Sequence, residues 1–438
     1  MAHPPRPWGR AALWLAFLGP FFYLSYGTAN WLASRRTDVP CIVFGWERQI
    51  PFLPWTILPY WTENLFYASA LFLCLEPREV DILGRRMLTA QVVAVSCFIL
   101  FPLAFSFPQP AVTGWPAFLF DALRGFDRPF NQAPSLHVAL AIVLGVHFHR
   151  LAARRWRPLV VGWFLLIIGS VLTTYQHHFV DIPTGALLGW FCLWAWPDTG
   201  QSPMRAWRFH REASRWKQAA YYTGGALLAA TLGIVLWGWA GWLLWPAVSL
   251  ALVALNHVGL GAVGFQKGSD GRLSLAARWL FAPYLWAARL NSWLWTRARP
   301  QPDEVMAGVW LGRAPIHGDD VNRFTCLVDL SAELSVRPGH KPYRSIPILD
   351  FSIPAPLILA EAAEAIEGAR KAGPVLVFCA LGRSRSAAAV CSWLLREGRV
   401  HSAREAIDRV ARCRPVSLSD EHLRAIEGSL HATPGAAP

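Results

Sequence analysis

Apolar residues in the first 265 positions come in long unbroken blocks rather than in alternation, at 11–33, 54–76, 87–107, 135–152, 158–175, 179–196, 219–241 and 243–265. Each block is close to the roughly 20 residues a helix needs to cross a hydrocarbon core, so the pattern predicts about eight spans, the last two as a hairpin. The first block is too long for a signal-peptide core and no small-x-small cleavage site follows it, so it is expected to remain in the protein. Past residue 300 the period changes. Short apolar runs at 308–313, 326–331, 344–349 and 375–379 alternate with helical periodicity at 356–372, 385–397, 402–412 and 419–430, which predicts an α/β layer arrangement. Between the two regimes, Arg272 to Arg299 is rich in Trp and Leu and broken once by Pro283. It reads as an interfacial helix, with a linker helix packed on the following domain as the other reading, and Pro300 to Asp303 as the hinge. The expected organisation is a helical membrane domain at 1–200, a basic loop and extra hairpin at 201–266, the Trp-rich linker at 267–300, an α/β domain at 301–431 and a disordered tail at 432–438, since Thr433 to Pro438 carry no periodicity.

Composition agrees with the blocks: 54% of the residues are hydrophobic, only 16% are charged, and Trp alone numbers 24, with a mean hydropathy of +0.30. That balance excludes an ordinary soluble protein of 438 residues. Lys and Arg set an orientation. Arg6 and Arg10, then Arg78, Arg85 and Arg86, then Arg150, Arg154, Arg155 and Arg157, then Arg205, Arg208, Arg211, Arg215 and Lys217 fall on one side, the intervening segments holding fewer. The richer side is read as cytoplasmic, and an even number of spans returns the C-terminal domain to it. The net charge of +13 fits basic loops beside anionic lipid. No nucleic-acid recognition motif accompanies it. The 8 cysteines stand singly, so neither a disulfide framework nor a metal site is expected, and no cofactor is called for.

One of those cysteines carries chemistry. Val375 to Phe378 reads as a buried strand and Ser386 onward as a helix, so Cys379 to Arg385 forms a turn aimed at a helix N-terminus, a place where anions bind. Backbone N–H groups of Ala380, Leu381, Gly382, Arg383 and Ser384 would hold phosphate oxygens, and Gly382 would let the backbone curl inward. Arg385 would take two oxygens with its planar fork, and the same field would favour the Cys379 thiolate as nucleophile. With this context, residues 305–430 resemble the dual-specificity branch of the protein tyrosine phosphatases, on Cys379, Gly382, Arg385 and Ser386. The resemblance implies an α/β cysteine-phosphatase domain in which Ser386 assists the thiolate as leaving group. It also implies an acid on a mobile loop upstream, which Asp350, between an apolar run and Pro354 and Pro356, supplies. Phe378 stands where that family usually has His.

The membrane region holds a second constellation. Asn131-Gln132-Ala133-Pro134-Ser135-Leu136-His137 opens the fourth span and Gln176-His177-His178-Phe179-Val180-Asp181 opens the sixth, both at the non-cytoplasmic end. His177 and Asp181 are four apart, on one helical face, where the carboxylate can orient the imidazole for attack on phosphorus and His137 can protonate the leaving group. These motifs resemble the type 2 phosphatidic acid phosphatase (PAP2) superfamily over roughly 54–200, closest to its inositol-phosphoceramide and sphingomyelin synthase branch. Two cations of the superfamily pattern are absent, Asp121 and Val171 standing in their places, which favours a phosphodiester monoanion unless Arg124 or Arg128 substitutes. Arg128 and Ser135 are the expected phosphate contacts, and Glu63 is an intramembrane ionisable candidate. Fusions of this type occur in bacteria, so the resemblance implies a multi-pass protein of the bacterial plasma membrane whose substrate is a phosphorylated lipid or a phosphoprotein. The competing reading makes the membrane half a non-catalytic anchor, receptor or lipid-translocating scaffold.

Overall fold

The computed structural model describes residues 6–210, 212–236, 238–306, 308–316 and 321–433; Arg211 of the basic cluster and residues 434–438 of the expected tail lie outside them. The chain divides into two compact units, 1–202 and 203–438.

The first unit is helical: α1 (Trp8–Ser34), α2 (Ile57–Leu73), α3 (Pro77–Leu100), α4 (Trp115–Arg124), α5 (Leu136–Leu151), α6 (Arg157–Thr173) and α7 (Asp181–Ala195). All six expected blocks are helices, but α3 begins ten residues before its block. Pro77 fills a first-turn position where no N–H is needed, and Glu79 accepts from Leu75 N at 2.8 Å, so the start is fixed by capping and not by hydropathy. Arg78, Arg85 and Arg86 therefore lie in a helix and not in a loop. Arg86 is buried, donating to Trp196 O at 2.8 Å and pairing with Asp198 at 3.0 Å, and Arg150 also pairs with Asp198. Among the described residues four helices, Trp8–Ser34, Pro77–Leu100, Arg154–Thr173 and Gly238–Phe265, have the length and apolarity to cross a bilayer, where about eight were expected. For three of the other four the reason is geometric: α2, α5 and α7 have 17, 16 and 15 residues and rise about 26 Å or less, short of a core of about 30 Å. The fourth block falls on Ala213–Val235, which at 23 residues is long enough but is not among the sufficiently apolar helices.

The second unit opens with α8 (Pro203–Ala206), α9 (Ala213–Val235) and α10 (Leu244–Leu255), the last continuing through a wider π-helical turn (Asn256–Leu260) and a tighter 3-10 turn (Gly261–Phe265). Then come α11 (Leu275–Leu280) and α12 (Ala282–Thr296), which divide where Pro283 predicts a break. Five strands follow, β1 (Asp303–Met306), β2 (Val309–Arg313), β3 (Cys326–Ser331), β4 (Tyr343–Ile348) and β5 (Val375–Cys379), with helices α13 (Pro356–Arg370), α14 (Arg385–Arg396), α15 (Ala403–Cys413) and α16 (Asp420–Gly428). Strand order is β1-β2-β5-β3-β4, parallel except for β1, so Asp303, expected in a hinge, is paired with Leu311 instead. β5 is buried at every position and sits centrally, as an uninterrupted VLVFC run requires. Helices α13 to α16 cover one face of the sheet. Leu327, Leu376, Phe378 and Ala380 form the other, against Ala288 of α12.

Residues 266–296 are bound to this domain rather than merely leading into it. The Lys267 side chain is completely buried, its ammonium 2.5 Å from Asp329 Oδ2 and 2.7 Å from Ser331 O at the end of β3. Ser292 of α12 donates to Ala380 O at 2.6 Å.

Candidate active sites

In a parallel sheet, functional groups collect beyond the carboxyl ends of the strands, and here the ends of β5, β3 and β4 deliver Cys379, Glu333 and Asp350 to one place. Gly382 has φ +71, and a Cβ there would lie 2.3 Å from Gly312 O, so only glycine lets the turn pass the end of β2. The loop then enters α14, whose N-terminus carries Arg385 and Ser386. Ser386 Oγ donates to Cys379 Sγ at 3.2 Å, and both are buried. Phe378, one residue earlier, points to the opposite side, fully buried in the cluster of Leu327 and Leu376. It neither contributes to nor blocks the thiolate environment.

Arg385 is held by three residues around the cradle. Two of its nitrogens donate to the two Glu333 oxygens, each at 2.8 Å, one also reaches Ile348 O at 2.8 Å, and Asp350 Oδ1 lies 3.0 Å away. Burial penalises the charge on Glu333, but the guanidinium outweighs it and holds that carboxyl below its usual range. Asp350 goes the other way: burial raises it, Arg385 opposes, and the negative charge of Glu333 adds to the rise. A carboxyl kept protonated to higher pH suits a general acid. Phe351, next in the chain, has φ +56, a conformation that costs an L-residue about 1 kcal/mol or more, and such strain gathers at functional loops. Glu333 was not singled out by the sequence reading, although the DLSAE run after an apolar strand carries the signal. His422 of α16 was also missed; it bonds Ser384 Oγ at 3.1 Å and Ser419 at 2.9 Å, bracing the loop from below. Arg383 reaches Trp295 O at 3.3 Å and lies over the Trp295 ring, while Leu381 O faces Arg414 at 3.5 Å.

In the first unit, α5 and α7 pack with unusual closeness. A Cβ at Gly185 would stand 2.5 Å from Ser135 O and one at Gly189 2.8 Å from Ala139 O, so the Gly-x3-Gly pair permits the approach. This brings the helix N-termini together, with Ser135 N donating to Asp181 O at 3.2 Å. His177 Nδ1 lies 3.1 Å from Asp181 Oδ2 and its Nε2 lies 3.2 Å from Ser135 Oγ, which also caps α5 at Val138 N. His137 Nδ1 is 2.6 Å from Glu63 Oε2, its ring stacks on Tyr60 at 4.0 Å, and its Nε2 is buried with no protein partner. Both imidazoles thus have one nitrogen fixed by a carboxylate, the arrangement that sets a tautomer. Val171 is fully buried in the apolar cluster with Ile57 and Tyr60, and its carbonyl accepts from Gln176 N and His177 N. Asp121 is exposed and pairs with Arg124 at 3.4 Å. Arg128, expected at phosphate, is exposed and donates to Ser34 Oγ at 3.2 Å. The sequence reading also passed over Glu47, buried, which bonds His178 Nδ1 at 2.9 Å and Phe179 N at 3.0 Å and so anchors the loop behind His177.

Residues 309–427 match the family model described as dual specificity phosphatase, catalytic domain, and residues 42–205 match that of the PAP2 superfamily. Among solved structures, Tk-PTP in its active form is 26% identical, covering 30% of this chain and 98% of its own, with a TM-score of 0.27. Human DUSP28 is 25% identical over 30% of this chain and 94% of its own, with a TM-score of 0.26. PTPMT1 in complex with PI(5)P is 17% identical over 29% and 93%, with a TM-score of 0.27. Comparison with curated proteins finds no match. With a phosphatase domain in each part, the chain is a phosphoric ester hydrolase.

Proposed function

We propose that this is a multi-pass membrane enzyme that hydrolyses phosphomonoesters of lipids at the Cys379 site on the cytoplasmic side, and handles a second phosphate ester at the His177 site on the outer side. The observation that carries the first half is the cradle itself: Ser386 on Cys379 Sγ, and Arg385 held by Glu333 with Asp350 alongside. The Cys379 thiolate attacks phosphorus and the bond to the leaving oxygen breaks as Asp350 gives that oxygen its proton. Asp350, now a carboxylate, takes a proton from water; the water oxygen attacks phosphorus, the S–P bond breaks, and Ser386 steadies the returning thiolate. Loop N–H groups from Ala380 to Ser384 and the Arg385 fork stabilise the equatorial oxygens throughout. Lipid phosphates are favoured because tethering to the bilayer raises their effective concentration.

At the second site His177 Nε2, on the ring edge opposite the Asp181 contact and 3.2 Å from Ser135 Oγ, attacks phosphorus, and His137 Nε2 protonates the departing oxygen. Water or a lipid hydroxyl then displaces the histidine. A second reading, in which this half is a catalytically silent anchor or receptor for a signalling phosphatase, draws on Val171 and Asp121 standing where the superfamily has cations. The test is a lipid profile of cells expressing wild-type, Cys379→Ser and His177→Ala protein. One phosphorylated lipid accumulating with Cys379→Ser supports the first site, and a distinct head-group change with His177→Ala supports the second; profiles identical to wild type would remove the lipid assignment. Sidedness is checked by a C-terminal alkaline phosphatase fusion, which is active only in an oxidising periplasm and should therefore be inactive on the cytoplasmic side; an active fusion would overturn the placement.

A further inference from the structure

α12 crosses the second face of the sheet on small residues, Ala288 and Ser292, and beside it a cleft of about 730 Å³ remains open between the helix and the segments following β2 and β3. That volume is in the range of ligand sites. Its walls are mainly apolar, with Leu290 and Trp293 from the helix and Leu327 and Val336 from the sheet side, and among the described residues no carboxylate lines it. Arg289 and Arg337 do line it, and among the described residues neither has an ion-pair or hydrogen-bond partner. Leu290 and Trp293 are 56% and 48% exposed. Two unneutralised guanidiniums on an apolar cleft are complementary to a ligand with an anionic phosphate and a long hydrocarbon part, and not to a nucleotide or an acidic peptide, whose polar bodies these walls cannot satisfy.

The origin of such a ligand is suggested by continuity. α12 and the α11 turn before it are joined within the same unit to Gly238–Phe265, a segment of bilayer-crossing length, through Trp245 against Trp286 of α12 and Trp279 of α11 and through Phe265 against Phe281 at their junction. Trp286 and Trp295 of α12 are 65% and 61% exposed, as interfacial aromatics are. We infer that the cleft holds an acyl chain of an anionic phospholipid from the adjoining leaflet, with its phosphate taken by Arg289 and Arg337. The site is separate from the catalytic cradle but connected to it: Ser292 lines the cleft and donates to Ala380 O in the phosphate loop. An occupant that steadies α12 therefore steadies the loop. The inference rests on the membrane placement proposed above and not on the identity of the catalytic substrate.

The experiment uses the full chain in phosphatidylcholine nanodiscs doped with a photoreactive-acyl phosphatidylglycerol, or with the matching phosphatidylcholine probe, followed by peptide mapping. Labelling should concentrate on peptides containing 289–293 and 327–337 and favour the anionic probe. The Arg289→Ala/Arg337→Ala protein should label about tenfold less or lower, from the loss of two cations near a charged surface. Ser335→Trp, which fills the cleft, should lose the label while both variants keep aryl phosphate turnover in detergent, showing an intact fold. Equal labelling by both probes, or labelling unchanged in the double variant, overturns the inference. Absence of cleft labelling in a chain that resists carbonate extraction and turns over phosphate defeats the cleft alone, whereas extraction by carbonate defeats the membrane placement.

Discussion

Glu333→Gln tests the electrostatic frame of the cysteine site. In the wild type Glu333 and Arg385 form a two-oxygen, two-nitrogen pair, and each side chain is 2% exposed. Removing one partner of a buried pair costs about 3–5 kcal/mol. Glutamine keeps the volume and one acceptor, and Asp350 stays 3.0 Å from the guanidinium, so a loss near the lower end, about 3 kcal/mol, is expected. Catalysis should suffer separately, because a clamp with one brace removed swings towards Asp350 and away from the equatorial oxygens. A fall in kcat/KM of about a hundredfold is expected, typical for the loss of one aligned transition-state donor. The pH profile gives the sharper reading. Glu333 raises the Asp350 carboxyl in the wild type, and a freed Arg385 would lower it further, so both changes act in one direction. Asp350 will then lose its proton at lower pH, and the basic limb of the kcat profile will move down. The assay is aryl phosphate turnover by the full chain in detergent across pH, with thermal unfolding alongside. A kcat/KM within twofold of wild type, or a basic limb that stays or moves up, would refute the frame.

Asp350→Asn should slow alkyl phosphates far more than aryl phosphates, whose leaving groups need no proton; equal losses would make Asp350 structural. Gly185→Ala places a methyl 2.5 Å from Ser135 O, so α5 and α7 must separate at about 1–3 kcal/mol, read as a lower midpoint of unfolding in detergent, and an unchanged midpoint would show the helices are less tightly apposed than described. His422 is held below the ordinary histidine range by burial, with Glu421 acting in the opposite sense. The unfolded chain therefore binds a proton there first, so stability is unaffected well above that range and falls as pH drops through about 6.5. His422→Gln should flatten that slope, and an unaltered slope would place the proton uptake elsewhere.

Much of this protein is written locally. The run Val375 to Ser386 determines strand, turn and helix because apolar burial, a residue without Cβ and a helix start fall in consecutive positions, and the structure places all three accordingly. The Pro283 break and the His177 to Asp181 contact are equally local, fixed by the proline ring and by the helical period. What the sequence leaves undetermined is which distant groups meet. Glu333 is one acidic residue among 28 Asp and Glu until the order β2-β5-β3 sets the end of its strand beside that of Cys379. Lys267 reads as a loop cation, yet the fold buries it on Asp329, since only a partner at that spot makes a desolvated ammonium tolerable. Hydropathy locates the apolar helices but not their ends, because Pro77 and Glu79 set the start of α3 through hydrogen bonds that hydropathy does not register. Hydropathy also leaves open whether α12 lies in the interface or packs on the following domain: that it lies over the sheet, where Ser292 touches the phosphate loop, follows from the shape left uncovered on one face of the sheet, which exists only once the strands are paired.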